Sequence, residues 1–120
     1  MSRKTQIKKQ STVKPISVKS LRTVPFEKGF HFYAGVGNYT GITATSLSEF
    51  ATKLQIVPTE SIQFHFQRRD FQNWIKYIIK DAVLAERISN AKREQSAEDL
   101  RKEILEIIEA RTARALSNFF

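Results

Sequence analysis

The chain has 120 residues, of which 41% are hydrophobic, and it carries a formal net charge of +8 with no cysteine. That length accommodates one compact domain, and the absence of cysteine excludes disulfide frameworks, thiolate nucleophiles and zinc ribbons. Because no run approaches the roughly 20 apolar residues of a membrane span and no apolar leader opens the chain, we expect a soluble, cytoplasmic protein.

The first 25 residues hold most of the net positive charge. They contain seven Lys and Arg and no Asp or Glu, whereas residues 26–120 hold the other 13 basic residues against all 12 acids. No period of 2 or 3.6 is sustained here, and Pro15 and Pro25 interrupt regular structure. We therefore predict an extended basic arm, residues 1–25, which spans up to roughly 80 Å at about 3.3 Å per residue. A single globular domain, residues 26–120, follows.

Other interpretations of the acid-free segment fit less well. Organellar transit peptides favour Arg-rich amphipathic helices, whereas this segment is Lys-rich and carries Pro15. A helix on a membrane surface needs large apolar residues that the segment lacks. A polyanion such as nucleic acid is therefore the favoured partner of the arm.

A β-hairpin is predicted next. Phe30-His31-Phe32-Tyr33 and Ile42-Thr43-Ala44-Thr45 are two short β-rich runs on either side of a Gly- and Asn-rich turn. The turn contains G-x-G-x-x-x-G, which misses the dinucleotide fingerprint by one residue and lacks the Lys and Ser/Thr of a P-loop. We predict a turn here and no nucleotide site.

Helices follow the hairpin. The capping box Ser46-Leu47-Ser48-Glu49 predicts a helix from Leu47 to about Gln55 that buries Leu47, Phe50, Ala51 and Leu54. In residues 61–67, alternating polarity favours a strand, while Pro58 followed by Glu60 favours a helix start. We prefer a short helix there.

The second half of the chain has the clearest helical pattern. One apolar stripe follows Asp70, which we expect to cap this helix: Phe71, Trp74, Ile75, Ile78 and Ile79. Asp81 is predicted to cap a further helix with Leu84, Ala85 and Ile88 inward. Ser96 and Asp99 start a last helix with Leu100, Ile104, Ile107 and Ile108 on one face. The predicted fold class is α+β, mainly helical, with an N-terminal β-hairpin followed by four or five short helices.

Four ordered motifs within residues 30–90 resemble a known family: S-L-x-E-F, F-H, D-F-x-x-W-I and D-x-x-L-A. They are similar to a small domain family of unknown function that is found mainly in archaea and in some bacteria. The resemblance implies an intracellular, mostly helical fold and supplies no activity. Arg69 stands where that family usually has Gly or Asn, and Lys80 where it usually has Gly. Without that Gly, the third helix could run on into the fourth.

No constellation of residues indicates catalysis. His31 and His65 have no cysteine nearby to complete a metal set, so we interpret both as structural; His65 with Arg68 and Asp70 is the best polar cluster. Phe71 and Trp74 are predicted to be core. Whether Phe30, Phe32, Tyr33, Tyr39 and the final Phe119 and Phe120 are exposed stays open. We predict no catalytic residue, no cofactor, no metal and no enzyme activity.

The favoured function is a structural rRNA-binding protein, a ribosomal protein for which specificity to an archaeal lineage is the narrower hypothesis. Its partners would be ribosomal RNA and neighbouring ribosomal proteins, with no membrane and no small-molecule substrate. The predicted RNA-binding residues are Arg3, Lys4, Lys8, Lys9, Lys14, Lys19, Arg22, Lys28, Arg68 and Arg69.

Two other functions remain open. A DNA-binding chromatin or transcription-regulatory protein would present a helix to the major groove through Gln67, Arg68, Arg69, Gln72, Asn73 and Lys76. An interaction module would bind an acidic protein through the arm.

Overall fold

The structure, a computed structural model, describes residue 21 and residues 23–117, with side chains up to Thr112. A short 3-10 turn precedes a two-stranded sheet and five helices: Phe26–Lys28 (turn), β1 Phe30–Tyr33, β2 Tyr39–Ala44, α1 Leu47–Leu54, α2 Thr59–Gln67, α3 Asp70–Trp74, α4 Ala82–Ser89 and α5 Ala97–Ser117. The predicted fold class, mainly helical α+β with an N-terminal hairpin, is confirmed. Among these residues, no helix combines the length and apolar character that crossing a membrane requires.

The hairpin forms as predicted, although its second strand begins earlier, at Tyr39. The strands are antiparallel, with Phe30 opposite Ala44 and Phe32 opposite Ile42. The turn closes through the Asn38 N–H, which donates to the Gly35 carbonyl at 3.0 Å. Alternation along β1 buries Phe30 and Phe32 and leaves His31 and Tyr33 half-buried on the opposite face.

The start of α1 confirms half of the predicted capping box. The Ser46 hydroxyl accepts the Glu49 N–H at 3.1 Å. The Glu49 carboxylate does not return to Ser46; its Oε1 accepts the N–H and the hydroxyl of Thr45, at 2.8 and 2.9 Å. The backbone bond from Thr45 is the main reason that the pKa of Glu49 is lowered. Leu47, Phe50 and Leu54 are buried as predicted, while Ala51 is half-buried.

Residues 61–67 lie in α2, which confirms the preferred helix. Ser61, Ile62, His65 and Phe66 are its buried residues, a spacing of 3 and 4 that a strand does not have. The apparent alternation arose because Phe64, which is half-buried, also carries an apolar ring.

Aromatic rings dominate the core between the hairpin and the helices. The Phe50 ring centroid lies 5.4 Å from that of Phe30 and 5.5 Å from that of Trp74. Phe71 and Phe32 are fully buried, and Trp74 is only 7% exposed. The Trp74 Nε1–H donates to the Lys28 carbonyl at 2.9 Å, which satisfies the one polar atom of the indole. The core prediction for Phe71 and Trp74 is confirmed.

The third helix does not run on into the fourth. It continues from α3 through one π-helical turn, Ile75–Ile79, and then stops at Lys80, which has a φ of 70°. Arg69, between α2 and α3, has a φ of 65°. Arg69 and Lys80, the two departures from the family pattern, are therefore both left-handed. This conformation costs a residue with a side chain about 1–2 kcal/mol. The π-helical turn ends at Lys80 in a left-handed conformation because the next residue, Asp81, is fixed as the N-cap of α4.

The last two helices begin where they were predicted. Asp81 Oδ1 accepts the Leu84 N–H at 3.1 Å, and Ser96 Oγ accepts the Asp99 N–H at 3.1 Å. With 21 residues, α5 is longer than the predicted short helices, because no Gly or Pro interrupts it. Its buried face packs toward α1 and α2, where Arg101 Nη1 donates to the carbonyls of Leu54 and Val57 at 2.7 and 2.8 Å.

Candidate nucleic-acid interface

The root of the arm is attached to the body at Val24. Its side chain is 7% exposed, and its N–H donates to the Thr45 carbonyl at 2.8 Å. The remainder of the chain before residue 23, apart from Leu21, lies outside the described residues. The N-terminal end of the continuously described chain, at residues 23 and 24, thus lies beside the end of β2.

A groove of about 360 Å³ lies at this root and is lined by residues 23–25 together with Lys28, Tyr77, Ile78 and Lys80. We call it the arm-root groove. Lys28 and Lys80 are its charged residues, and no acid is among its lining residues. Tyr77 is 57% exposed, and the Lys76 ammonium nitrogen lies 5.2 Å from its ring centroid. The groove therefore offers an exposed aromatic ring among cations.

A second groove, of about 160 Å³, lies between the α3 segment and α4. We call it the α3–α4 groove. Arg69, Gln72, Asn73 and Lys76 line one side, and α4 supplies Glu86 among others. The Arg69 Nη2 donates to Ser89 Oγ at 3.1 Å. Lys76 lines this groove, and its ammonium nitrogen lies close to the ring of Tyr77, which lines the arm-root groove.

Gln72 is an unusual residue of the α3–α4 groove. It is only 4% exposed, and its Oε1 is buried with no hydrogen-bond partner among the described residues. A buried acceptor left in this state costs about 1–3 kcal/mol. Within the described part of the chain, the Gln72 side chain therefore destabilises the fold.

Positive charge is concentrated along these two grooves. The two grooves together are lined by four cations and one acid, Glu86. Residues 26–120 as a whole carry 13 cations against 12 acids, so the distribution is uneven. We call this surface the basic face; its cations are Lys28, Arg69, Lys76 and Lys80.

The predicted RNA-binding residues separate in the structure. Lys28 and Arg69 lie on the basic face, whereas Arg68 does not. The Arg68 guanidinium carbon lies 4.9 Å from the centroid of the Phe64 ring, and its Nε donates to Asp70 Oδ2 at 3.0 Å. The other predicted residues lie outside the described part of the chain: Arg3, Lys4, Lys8, Lys9, Lys14, Lys19 and Arg22.

Arg68 lines a cleft of about 390 Å³ between the hairpin and the α2–α3 corner. We call it the hairpin cleft. Its walls include His31 and Tyr33 of β1, the Gly35–Gly37 turn, and Phe64, His65, Asp70 and Trp74 of the helices.

His65 has both ring nitrogens engaged in this cleft. Nδ1 is 2.8 Å from Asp70 Oδ2, and Nε2 accepts the Tyr33 N–H at 2.8 Å. Since Nε2 must accept, the proton of the neutral ring lies on Nδ1 and is donated to Asp70. Burial is the main influence on the pKa of His65 and lowers it, although Asp70 acts in the opposite direction. His65 therefore joins β1 to α2 and has no free nitrogen for acid–base chemistry in this state.

The predicted capping role of Asp70 is wrong. The residue before α3 is Arg69, which is left-handed and makes no side-chain cap bond. The Asp70 carboxylate instead accepts hydrogen bonds from His65 and Arg68. The Arg68 guanidinium competes successfully with the helix amides for this carboxylate, because a hydrogen bond from a cation is stronger than one from a neutral N–H.

Tyr77 was missed in the sequence. The apolar stripe of its helix is Phe71, Trp74, Ile75, Ile78 and Ile79, which places Tyr77 off the buried face. An aromatic residue on the polar side of a helix, between Lys76 and Lys80, was the available signal. The orphaned oxygen of Gln72 had no such signal, because it depends on how α4 packs over α3.

A family model matches residues 27–118, from the 3-10 turn through α5. The chain belongs to a family of unknown function, DUF5752. The resemblance to a domain family of unknown function is thereby confirmed, and it extends past residue 90 through the last helix. The arm lies outside the DUF5752 match, as predicted. No curated protein and no solved structure matches the chain.

Proposed function

We propose that this DUF5752 protein is a structural RNA-binding protein of the ribosome. In this proposal the arm neutralises rRNA phosphates and the body docks on RNA through the basic face. The observation that carries the proposal is the position of Val24, which fixes the root of an acid-free arm beside a groove whose charged lining residues are all cations. The arm and the basic face would then contact the same phosphate backbone.

The exposed ring of Tyr77 favours RNA with unpaired bases as the binding partner. RNA-binding proteins commonly stack such bases on aromatic side chains while nearby cations contact phosphates. Tyr77 is 57% exposed and has Lys76 over its ring.

Duplex DNA is the weaker candidate. Of the residues that would form a recognition helix, Gln72 is buried and Arg68 lines the hairpin cleft. The α-helical part of α3 has only five residues before the π turn. A recognition helix presents several side chains to base edges from one regular helix, whereas the remaining candidates are divided between α2, which ends at Gln67, and the α3 segment with Arg69, Asn73 and Lys76.

The predicted division into a nearly neutral body and a long basic arm supports a ribosomal role. Such an arm can enter between RNA helices while the body stays on the surface of the particle. The specific form of the proposal is a component of a cytoplasmic ribosome in an archaeal lineage.

The first test is sedimentation of a cell lysate in sucrose gradients at low and high salt. We expect the chain in the ribosomal fractions at low salt and its release at high salt; a chain found only at the top of the low-salt gradient overturns the ribosomal role.

A binding assay separates the contributions of arm and face. We compare the full chain, a deletion of residues 1–22 that retains Val24, and K28A/K76A/K80A, with K102A on the exposed face of α5 as a control. Contacts from seven arm cations predict a slope of log affinity against log salt steeper than about −4. The deletion should lose most of that slope, the triple variant should bind at least tenfold more weakly, and K102A should be unchanged. An unchanged slope after deletion, or equal competition by duplex DNA, contradicts the proposal.

A further inference from the structure

The hairpin cleft is not used by the proposed RNA-binding surface. Its volume of about 390 Å³ lies within the range of small-molecule sites. It also lies wholly within the residues that the family match covers, whereas the arm lies outside them. The hairpin cleft is therefore a candidate site for a function that the body performs without the arm.

The walls of the cleft are mainly aromatic. Phe30 and Trp74 are among its lining residues and are 5% and 7% exposed, with ring centroids 5.7 Å apart. Tyr33 and Phe64, both half-buried, line it from the strand and from α2. Flat apolar walls of this kind favour a planar ring, because stacked and edge-to-face contacts between aromatic groups add to the gain from burial.

Arg68 supplies the positive charge of the cleft. Its guanidinium is held on one side by the Nε bond to Asp70 and packs over the Phe64 ring. Its two terminal nitrogens have no hydrogen-bond partner among the described residues. A guanidinium oriented in this way is suited to bidentate recognition of a carboxylate or phosphate.

Two further groups bear on the polarity of the cleft. His31 bonds Thr43 Oγ1 through Nδ1 at 2.8 Å, which leaves Nε2 for another partner. Asp70 is the acid that lines the cleft, and its Oδ2 already accepts from His65 and Arg68. The cleft thus combines a ring-shaped apolar space with an oriented cation.

We propose that the hairpin cleft binds a small planar aromatic molecule that carries an anionic group. The ring packs against Phe30, Trp74 and Tyr33, and the anion binds the terminal nitrogens of Arg68. An aromatic carboxylate and a nucleoside 5′-monophosphate share this chemistry. This site is separate from the basic face, because Arg68 and Arg69 are adjacent in the chain but line different cavities.

The test is calorimetric titration of the full chain, with the fluorescence of Trp74 as a second readout. Trp74 is the single tryptophan of the chain and lines the cleft, so its emission reports occupancy directly. The probes are 4-hydroxybenzoate and AMP. Each has a control that lacks the anion, 4-hydroxybenzamide or adenosine, and a control that lacks the ring, acetate or ribose 5-phosphate. We expect at least one probe to bind tenfold or more tightly than its controls, and the better probe identifies the source of the anion.

Two neighbouring variants make the test specific. R68Q should lose the tenfold preference for the probe over its controls and bind RNA with unchanged affinity. R69Q should bind the probe with unchanged affinity and bind RNA more weakly. H31Q gives a second change in the cleft and should weaken the ligand less than R68Q does. The absence of saturable binding of either probe at millimolar concentration, or equal effects of R68Q and R69Q on the ligand, overturns the inference. RNA binding that persists in that case leaves the proposed function intact.

Discussion

The guanidinium of Arg111 binds both carboxylate oxygens of Asp81. Nε donates to Oδ2 at 3.0 Å and Nη2 to Oδ1 at 2.8 Å, and the two side chains are 4% and 2% exposed. The same Oδ1 accepts the Leu84 N–H that begins α4. One carboxylate therefore joins α5 to the first turn of α4, directly after the left-handed Lys80 that ends the basic face.

Removing the charge of Asp81 should destabilise the fold strongly. D81N removes the carboxylate charge from the buried, bidentate pair with Arg111, and breaking such a pair in other proteins costs about 3–5 kcal/mol. We expect a loss of that size in the free energy of unfolding, measured by urea titration. D99N, which changes an exposed acid in the first turn of α5, is the control and should stay within about 1 kcal/mol. A loss below about 1 kcal/mol in D81N would show that the pair is not what holds the two helices together.

The sequence predicted most of the fold because local patterns determine it. The stripe from Phe71 to Ile79 and the caps at Ser46 and Asp81 depend on neighbours within four residues, and all three are present. Predictions failed where a more distant partner competed for the same atoms. Asp70 binds a histidine five residues earlier in place of its own helix amides.

The candidate site was predicted less well than the fold. The charge of the arm was visible in the sequence, and so were Lys28 and Arg69. The sequence did not show that Arg68 and Arg69 line different cavities. This separation depends on the left-handed backbone of Arg69, which turns the chain between the two side chains. Arg111 likewise reaches Asp81 across 30 residues, a pairing that no local spacing indicates.

Glycine at position 80 should stabilise the protein. Lys80 has a φ of 70°, where a β-carbon costs about 1 kcal/mol or more, so K80G should raise the free energy of unfolding by a large part of that amount. K80A is the matched control, because it removes the same charge but keeps the β-carbon and should give no gain. Both variants should weaken RNA binding alike if Lys80 contacts phosphate. Equal stability of K80G and K80A would show that the left-handed residue stores no strain.

Protonation of His65 should destabilise the fold at mildly acidic pH. Burial lowers the pKa of His65 from its ordinary 6.5, and a protonated Nε2 could no longer accept the Tyr33 N–H. The unfolded chain therefore takes up the proton first as the pH falls. The stabilisation is fully present above about pH 6.5 and is lost as the pH falls from there through the lower pKa of the folded state.

Urea titrations between about pH 7 and pH 5 measure this loss of stability. Most carboxylates stay ionised in this pH range, so they contribute little to the change. H65Q keeps a neutral side chain that can bond both Tyr33 and Asp70, so its stability should depend less on pH. H31Q removes the other histidine and should retain the pH dependence. A pH dependence that survives in H65Q and disappears in H31Q would assign the effect to His31.

The orphaned amide of Gln72 should reveal a conflict between stability and RNA binding. Its Oε1 is buried without a partner among the described residues and lines the α3–α4 groove. Methionine has a similar length and no such acceptor, so Q72M should raise the free energy of unfolding by roughly 1 kcal/mol. If RNA supplies the missing donor, the same variant should bind RNA more weakly, because the groove can no longer accept from a base.

Ser61 provides the matched control for this prediction. Its hydroxyl is the other buried side-chain oxygen without a partner in the described part of the chain, but it lies in α2 and lines neither groove of the basic face. S61A should therefore gain stability as Q72M does while RNA affinity stays unchanged. Urea titration and RNA titration of both variants decide between the explanations. If Q72M is stabilised and binds RNA as tightly as the original protein, the orphaned oxygen is a cost of packing and the groove does not use it for RNA.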